Sequence, residues 1–271
     1  MKPISHSIFY PATRLVLLLI ACAALFGSGC ATVPETGRRQ MILLSKSQEM
    51  SLGQSAFQEI KQSGSINNDP EINAMVRQVG ERIAAVADLP GAQWEFVVFN
   101  NDEPNAFCLP GGKIGVHTGI LPITLNEAGL ATVIGHEVAH AVARHGAERM
   151  SQAIMLQVGA GAVAVATGEE DPAVRALIMA AYGLGTTLGV ALPHSRKQEL
   201  EADHIGLIYM AKAGYDPGEA VHFWQRFADY NRARGGATPW FLRTHPVDRD
   251  RIRAIERLLP DAYRYYRPSG R

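Results

Sequence analysis

Three cysteines in 271 residues are too few to staple a fold. Cys22 and Cys30 lie in or just after the apolar N-terminal stretch, so once that stretch is removed and Cys30 is modified only Cys108 remains. No intramolecular disulfide is then available, even in an oxidising compartment. Cys108 falls in the strand-like stretch Ala106–Leu109 and reads as a small packing residue rather than a nucleophile or ligand. Charge of either sign is also lacking in excess: 26 basic and 26 acidic residues cancel, and no long basic run occurs. That gives no electrostatic footprint for nucleic acid. No internal repeat of roughly 20–50 residues is present.

The longest strongly apolar run is short. Leu15 to Phe26 spans about twelve residues behind Lys2 and Arg14, the form of a signal peptide and too short to span a bilayer. Gly27-Ser-Gly-Cys30 follows as a lipoprotein-type cleavage site, giving a signal peptide over 1–29 and lipidation at Cys30. Leu19-Ile-Ala-Cys22 is the alternative, with only about seven apolar residues before it. A second uncharged stretch, Ala176 to Leu192, reaches the lower limit for a membrane span, and Ile154 to Thr167 is similarly rich in Ala and Gly. Both are read as packed helices over the cleft or against a membrane surface.

What the chain does have is His136-Glu137-Val138-Ala139-His140 inside a helical pattern. A step of four residues returns to nearly the same helix face, so both imidazoles can reach one metal ion. Glu137 on the neighbouring strip can take a proton from a water polarised by that metal. Asn126 is placed to cap the helix, Glu127 to sit in its first turn, and Gly146 to stop it. His145 lies about 140° around the helix from His140 and is not expected as a ligand.

The third ligand is expected from Glu199. In Glu199-Leu-Glu-Ala-Asp203 the residues Glu199 and Asp203 share a helix face, so one can bind the metal and the other can hold the outer nitrogen of a ligating histidine. Glu201 lies about 200° from Glu199 and cannot supply that pairing without help from elsewhere. His117, His194, His204 and His222 have no partner at ligand spacing.

These motifs, with Thr244-His245-Pro246 and the segment Pro104 to Val116, resemble peptidase family M48, in its bacterial periplasmic lipoprotein branch. The resemblance covers about Thr36 to Ile255. It implies an α+β, mostly helical, zincin-like fold with a small antiparallel sheet beside the metal helix, and one Zn2+ per chain. It implies a zinc endopeptidase acting on misfolded or misassembled envelope polypeptides, held through its lipid in the periplasm, on the outer membrane. His136, His140 and Glu199 are then ligands, and Glu137, Asp203 and His245 are expected to serve catalysis. His245 would act as a conditional fourth ligand or a transition-state donor.

The expected layout is a tether over 30–45 and a single peptidase domain over 46–271. Helices are expected over Ser47–Ser63 and Asp69–Ala87, strands over Trp94–Phe99, Ala106–Leu109 and Lys113–His117, and a late helix starting at Pro246. An edge strand beside the metal can pair with extended substrate, and Asn105, Phe107 and Gly115 are the candidate contacts. Two other classes of function are an assembly factor with a latent peptidase and a zinc-stabilised scaffold without activity.

Overall fold

The computed structural model describes residues 30–158, 194–235 and 238–268. The stretch expected as a signal peptide and the Ala/Gly-rich stretch from residue 159 to Leu192 lie outside them. No helix among the described residues is long and apolar enough to cross a membrane.

The chain opens with an antiparallel pair, β1 (Cys30–Thr32) and β2 (Arg39–Met41). Two helices follow: α1 (Lys46–Ser63), with a Ser45/Gln48 capping box, and α2 (Pro70–Ala84), with Asp69 capping the amides of Glu71 and Ile72. Next comes a three-stranded sheet of β3 (Glu95–Phe99), β4 (Ala106–Leu109) and β5 (Lys113–His117). The α4 helix (Glu127–Val142), after a short α3 (Leu121–Thr124), carries the His-Glu-x-x-His pentad. Beyond it lie α5 (His145–Val158), α6 (Arg196–Lys212), α7 (Glu219–Ala233), α8 (Trp240–Thr244) and α9 (Arg249–Ala262).

The fold is α+β and mostly helical, with the small sheet packed on α4 as the sequence suggests. β4 and β5 form the expected antiparallel hairpin, turned at Gly111 (φ 84°) and Gly112 (φ 78°). β3 joins on the other side of β5 and runs parallel to it, so the spatial order is β3-β5-β4. Alternation then sorts the β4 side chains. Ala106 and Cys108 face the large core with α4, while Phe107 and Leu109 join Phe57 and Phe99 in a smaller cluster.

Two expected boundaries move for local reasons. The α4 helix ends at Val142 rather than at Gly146, because Arg144 takes a left-handed conformation (φ 56°). That conformation costs a non-glycine residue roughly 1–2 kcal/mol. It is held by the Arg144 guanidinium on the Glu49 carboxylate and by its donation to the Leu44 carbonyl at 3.1 Å. The last helix starts at Arg249 rather than Pro246, since Asp248 caps the Arg251 amide at 2.8 Å.

The stretch expected as a tether is docked. Val33 is fully buried in the large core, the Tyr209 hydroxyl bonds Glu35, and the Gln40 amide donates to the Ala143 carbonyl at 2.8 Å. Core burial therefore begins well before residue 46.

Candidate metal centre

Two helices have to meet for the motif residues to converge, and two glycines let them. Gly135 on α4 faces Gly206 on α6. A Cβ at Gly206 would lie 3.0 Å from the His136 amide nitrogen and 3.1 Å from the Gly135 carbonyl carbon. Glu199 lies two helical turns before Gly206. The backbone crossing therefore delivers its carboxylate beside His136, the residue that follows Gly135.

Four buried donors meet there. The Nε2 atoms of His136 and His140 are 3.0 Å apart. Glu199 lies 3.5 Å from the first through Oε2 and 3.3 Å from the second through Oε1. His245 brings Nδ1 to 3.3 Å from His136 Nε2 and 3.0 Å from Glu199 Oε1. Glu137, also buried, has Oε1 3.4 Å from His245 Nε2.

The donor set fits a zinc ion. Bonds of about 2.0–2.1 Å in a tetrahedron set neighbouring ligand atoms roughly 3.3 Å apart. Five of the six pairs among these donors lie 3.0 to 3.5 Å apart, Glu199 meeting His136 through Oε2 and the other two through Oε1. Tautomers point the same way. Asp203 Oδ1 lies 3.0 Å from His136 Nδ1, so that nitrogen carries the proton and Nε2 turns a lone pair inward. A cation placed among these atoms would take the inward lone pair of His136 and share the Glu199 charge that Arg251 meets from one side.

Arg251 organises the acids. Its guanidinium binds both Asp203 oxygens, at 2.9 and 2.8 Å, and reaches Glu199 Oε2 at 2.5 Å, while its plane lies over Trp224. Burial would raise both carboxyl pKa values, but Arg251 overrides it and holds Glu199 and Asp203 below the usual carboxylate range. Burial likewise opposes charge on His136, yet the facing Asp203 and Glu199 favour positive charge there, which a bound cation would supply in place of a proton on Nε2. Burial raises Glu137, against the pull of His245 and His136. Burial drives His140 well below its ordinary value.

Other expectations resolve differently. Gly115 sits on the central strand, paired with Val97 on one side and Phe107 on the other, so it offers no free edge. It is glycine because a Cβ would lie 2.2 Å from the Phe107 ring. Phe107 turns its side chain into the small cluster, away from the metal helix. Asn105 is buried just before β4, which is an edge strand among the described residues; its carbonyl accepts from the His117 amide at 3.0 Å. Cys108 is a buried free thiol pushed upward in pKa, as packing implies.

Three residues passed over in the sequence join the site. His194, just before the Ser195 cap of α6, packs its ring 3.9 Å from that of His140 and 4.8 Å from that of His245. His145 meets His140 Nδ1 through its own Nδ1 at 2.8 Å, because the chain turns at Arg144 and does not continue the helix. Glu201 accepts from His145 Nε2 at 2.9 Å. Position relative to the cap could have suggested His194; no periodicity signals the other two.

Residues 70–259 match the family described as peptidase family M48. Among curated relatives, the mitochondrial metalloendopeptidase OMA1 of Schizosaccharomyces pombe is 37% identical over 235 residues, covering 85% of this chain and 66% of its own length. Its namesake in Saccharomyces cerevisiae is 32% identical, covering 94% of this chain and 76% of its own length. The beta-barrel assembly-enhancing protease of Escherichia coli is 30% identical over 88% of this chain, which spans half of that protein's length.

Proposed function

The chain belongs to peptidase family M48 and is a metalloendopeptidase, and from that premise we propose a zinc enzyme of the bacterial cell envelope that cuts misfolded or misassembled proteins. The observation that carries the zinc reading is the convergence of His136, His140 and Glu199, with spacings suited to tetrahedral zinc. The envelope assignment rests on the Leu15–Phe26 run, the Gly27-Ser-Gly-Cys30 sequence and the kinship to a beta-barrel assembly-enhancing protease. Lipidation of Cys30 would anchor the enzyme, with 1–29 removed and one peptidase domain following.

His136, His140 and Glu199 would hold the ion. When bound, zinc polarises a carbonyl and lowers the pKa of a water from about 15.7 toward 7. Glu137 receives the proton of the attacking water and returns it to the departing amine. Its burial suits that exchange, because a raised carboxyl pKa makes it a better proton acceptor. Asp203 fixes His136 as the Nδ1–H tautomer, and Arg251 fixes Asp203 and Glu199. Asn105 and the backbone of Phe107, at and before edge strand β4, are the proposed contacts for an extended substrate.

His245 favours a latent resting state. With Nδ1 among the ligand atoms and Nε2 beside Glu137, it fills the space an attacking water and a scissile carbonyl need. Swinging His245 out would open the site, and a protein held in this state serves as an assembly factor until activated. Zinc content and casein hydrolysis, measured together on the purified chain, test the reading; a metal-free protein without hydrolysis under any condition contradicts it.

A further inference from the structure

The two histidines of the pentad are each backed by an acid held by an arginine, and both acids come from α6. His136 Nδ1 faces Asp203, which Arg251 grips with two bonds. His140 Nδ1 faces His145 Nδ1 at 2.8 Å, and His145 Nε2 faces Glu201 Oε2 at 2.9 Å. Glu201 is in turn held by Arg38 through Nε at 2.6 Å and by the Thr36 hydroxyl. Arg38 also makes a two-bond pair with Glu148, at 2.8 and 3.0 Å, and the Gln198 amide closes on Glu148 at 2.7 Å. His145 is fully buried, and Glu201 nearly so.

We infer that Glu201, relayed by His145 and fixed by Arg38 of the N-terminal hairpin, is a positioning residue that sets the tautomer and orientation of His140. The inference rests on the zinc reading of the site. The proton logic runs one way. An ionised carboxylate only accepts, so His145 carries its proton on Nε2 and leaves Nδ1 as an acceptor. His140 must then donate from Nδ1, which turns the Nε2 lone pair toward His136 and Glu199. Without Glu201 both tautomers of the pair become available, and one of them points an N–H at the metal position.

The helix break at Arg144 makes this possible, because a continued α4 would carry His145 away from His140. It also makes residues 36–38 part of the support of the site, though they precede the pentad by about a hundred positions. Glu201 thus finds through His145 the help that its own helix face denies it.

The test is zinc affinity of the full-length chain, measured by competition with a colorimetric chelator, beside the thermal midpoint of the chelated protein. Glu201→Ala is expected to weaken zinc binding about 10- to 100-fold. Arg38→Ala should weaken it less, Arg38→Lys should recover part of the loss, and Arg38→Ala should add nothing to Glu201→Ala. Glu95→Ala, which breaks the separate pair with Lys61, serves as the control and should leave affinity unchanged. Affinities of Glu201→Ala and Arg38→Ala equal to that of the parent overturn the inference. If Glu201→Ala does not fold, the Arg38 pair decides: Arg38→Ala equal to the parent overturns it as well. A parent that binds no zinc overturns the zinc reading and this inference with it, and that result is distinguishable because the parent is measured first.

Discussion

Gly135 and Gly206 touch backbone to backbone where α4 and α6 cross, with a virtual Cβ of Gly206 only 3.0 Å from the amide of His136. The approach is closer than side chains of any other kind allow, and it sets how near Glu199 comes to the imidazoles.

Gly206→Ala should therefore push α6 off α4. Inserting a methyl against backbone costs about 1–3 kcal/mol, and the displaced Glu199 should weaken zinc binding as well. Thermal denaturation and chelator competition check both; unchanged values for both would remove the crossing from the account.

Arg251 is the next point of weakness. Arg251→Ala leaves the buried carboxylates of Glu199 and Asp203 without their guanidinium, a loss of about 3–5 kcal/mol for breaking a buried ion pair. Arg251→Lys should recover less than half, because an ammonium cannot span both oxygens of Asp203 and reach Glu199 too. Urea midpoints of the three proteins order the effects.

Asp203→Asn should reduce zinc affinity about 10- to 100-fold, since the amide can present its NH2 to His136 and favour the wrong tautomer, and should also lower stability by weakening the buried pair with Arg251. The readout is again competition with a chelator, and parent-like affinity would assign the role elsewhere.

His245→Ala should raise casein hydrolysis above the parent if His245 holds the resting state. Zinc content should stay near one per chain, because His136, His140 and Glu199 remain. A fall in hydrolysis would instead make His245 a participant in the reaction.

Much of this was legible in the chain. The pentad, its Asn126 cap, and the shared face of Glu199 and Asp203 all follow from a period of 3.6, which is a local property. The resemblance to the family supplied the order of the motifs and the interest in His245. The rest was not legible, because it depends on pairings over long separations. The Arg38–Glu201 bond joins residues 163 positions apart, and no periodicity records it. The docking of residues 30–41 is not visible in the sequence, because a polar, glycine-containing stretch reads as linker and its partners are distant in the chain. Gly115 reads in the sequence as an edge contact, but strand order is set by tertiary pairing and β3 occupies the far side of β5. The α4 boundary is not visible in the sequence, because a left-handed arginine is unfavourable in isolation and is held here by Glu49 and Leu44.

The most direct test of the central claim is Glu137→Gln, assayed for bound zinc and peptide hydrolysis in the same preparation. An isosteric amide keeps the shape of the site but cannot accept a proton, so zinc content should match the parent while turnover drops at least about a hundredfold. Hydrolysis at the parental rate with zinc still bound would contradict a proton-accepting role for this carboxylate.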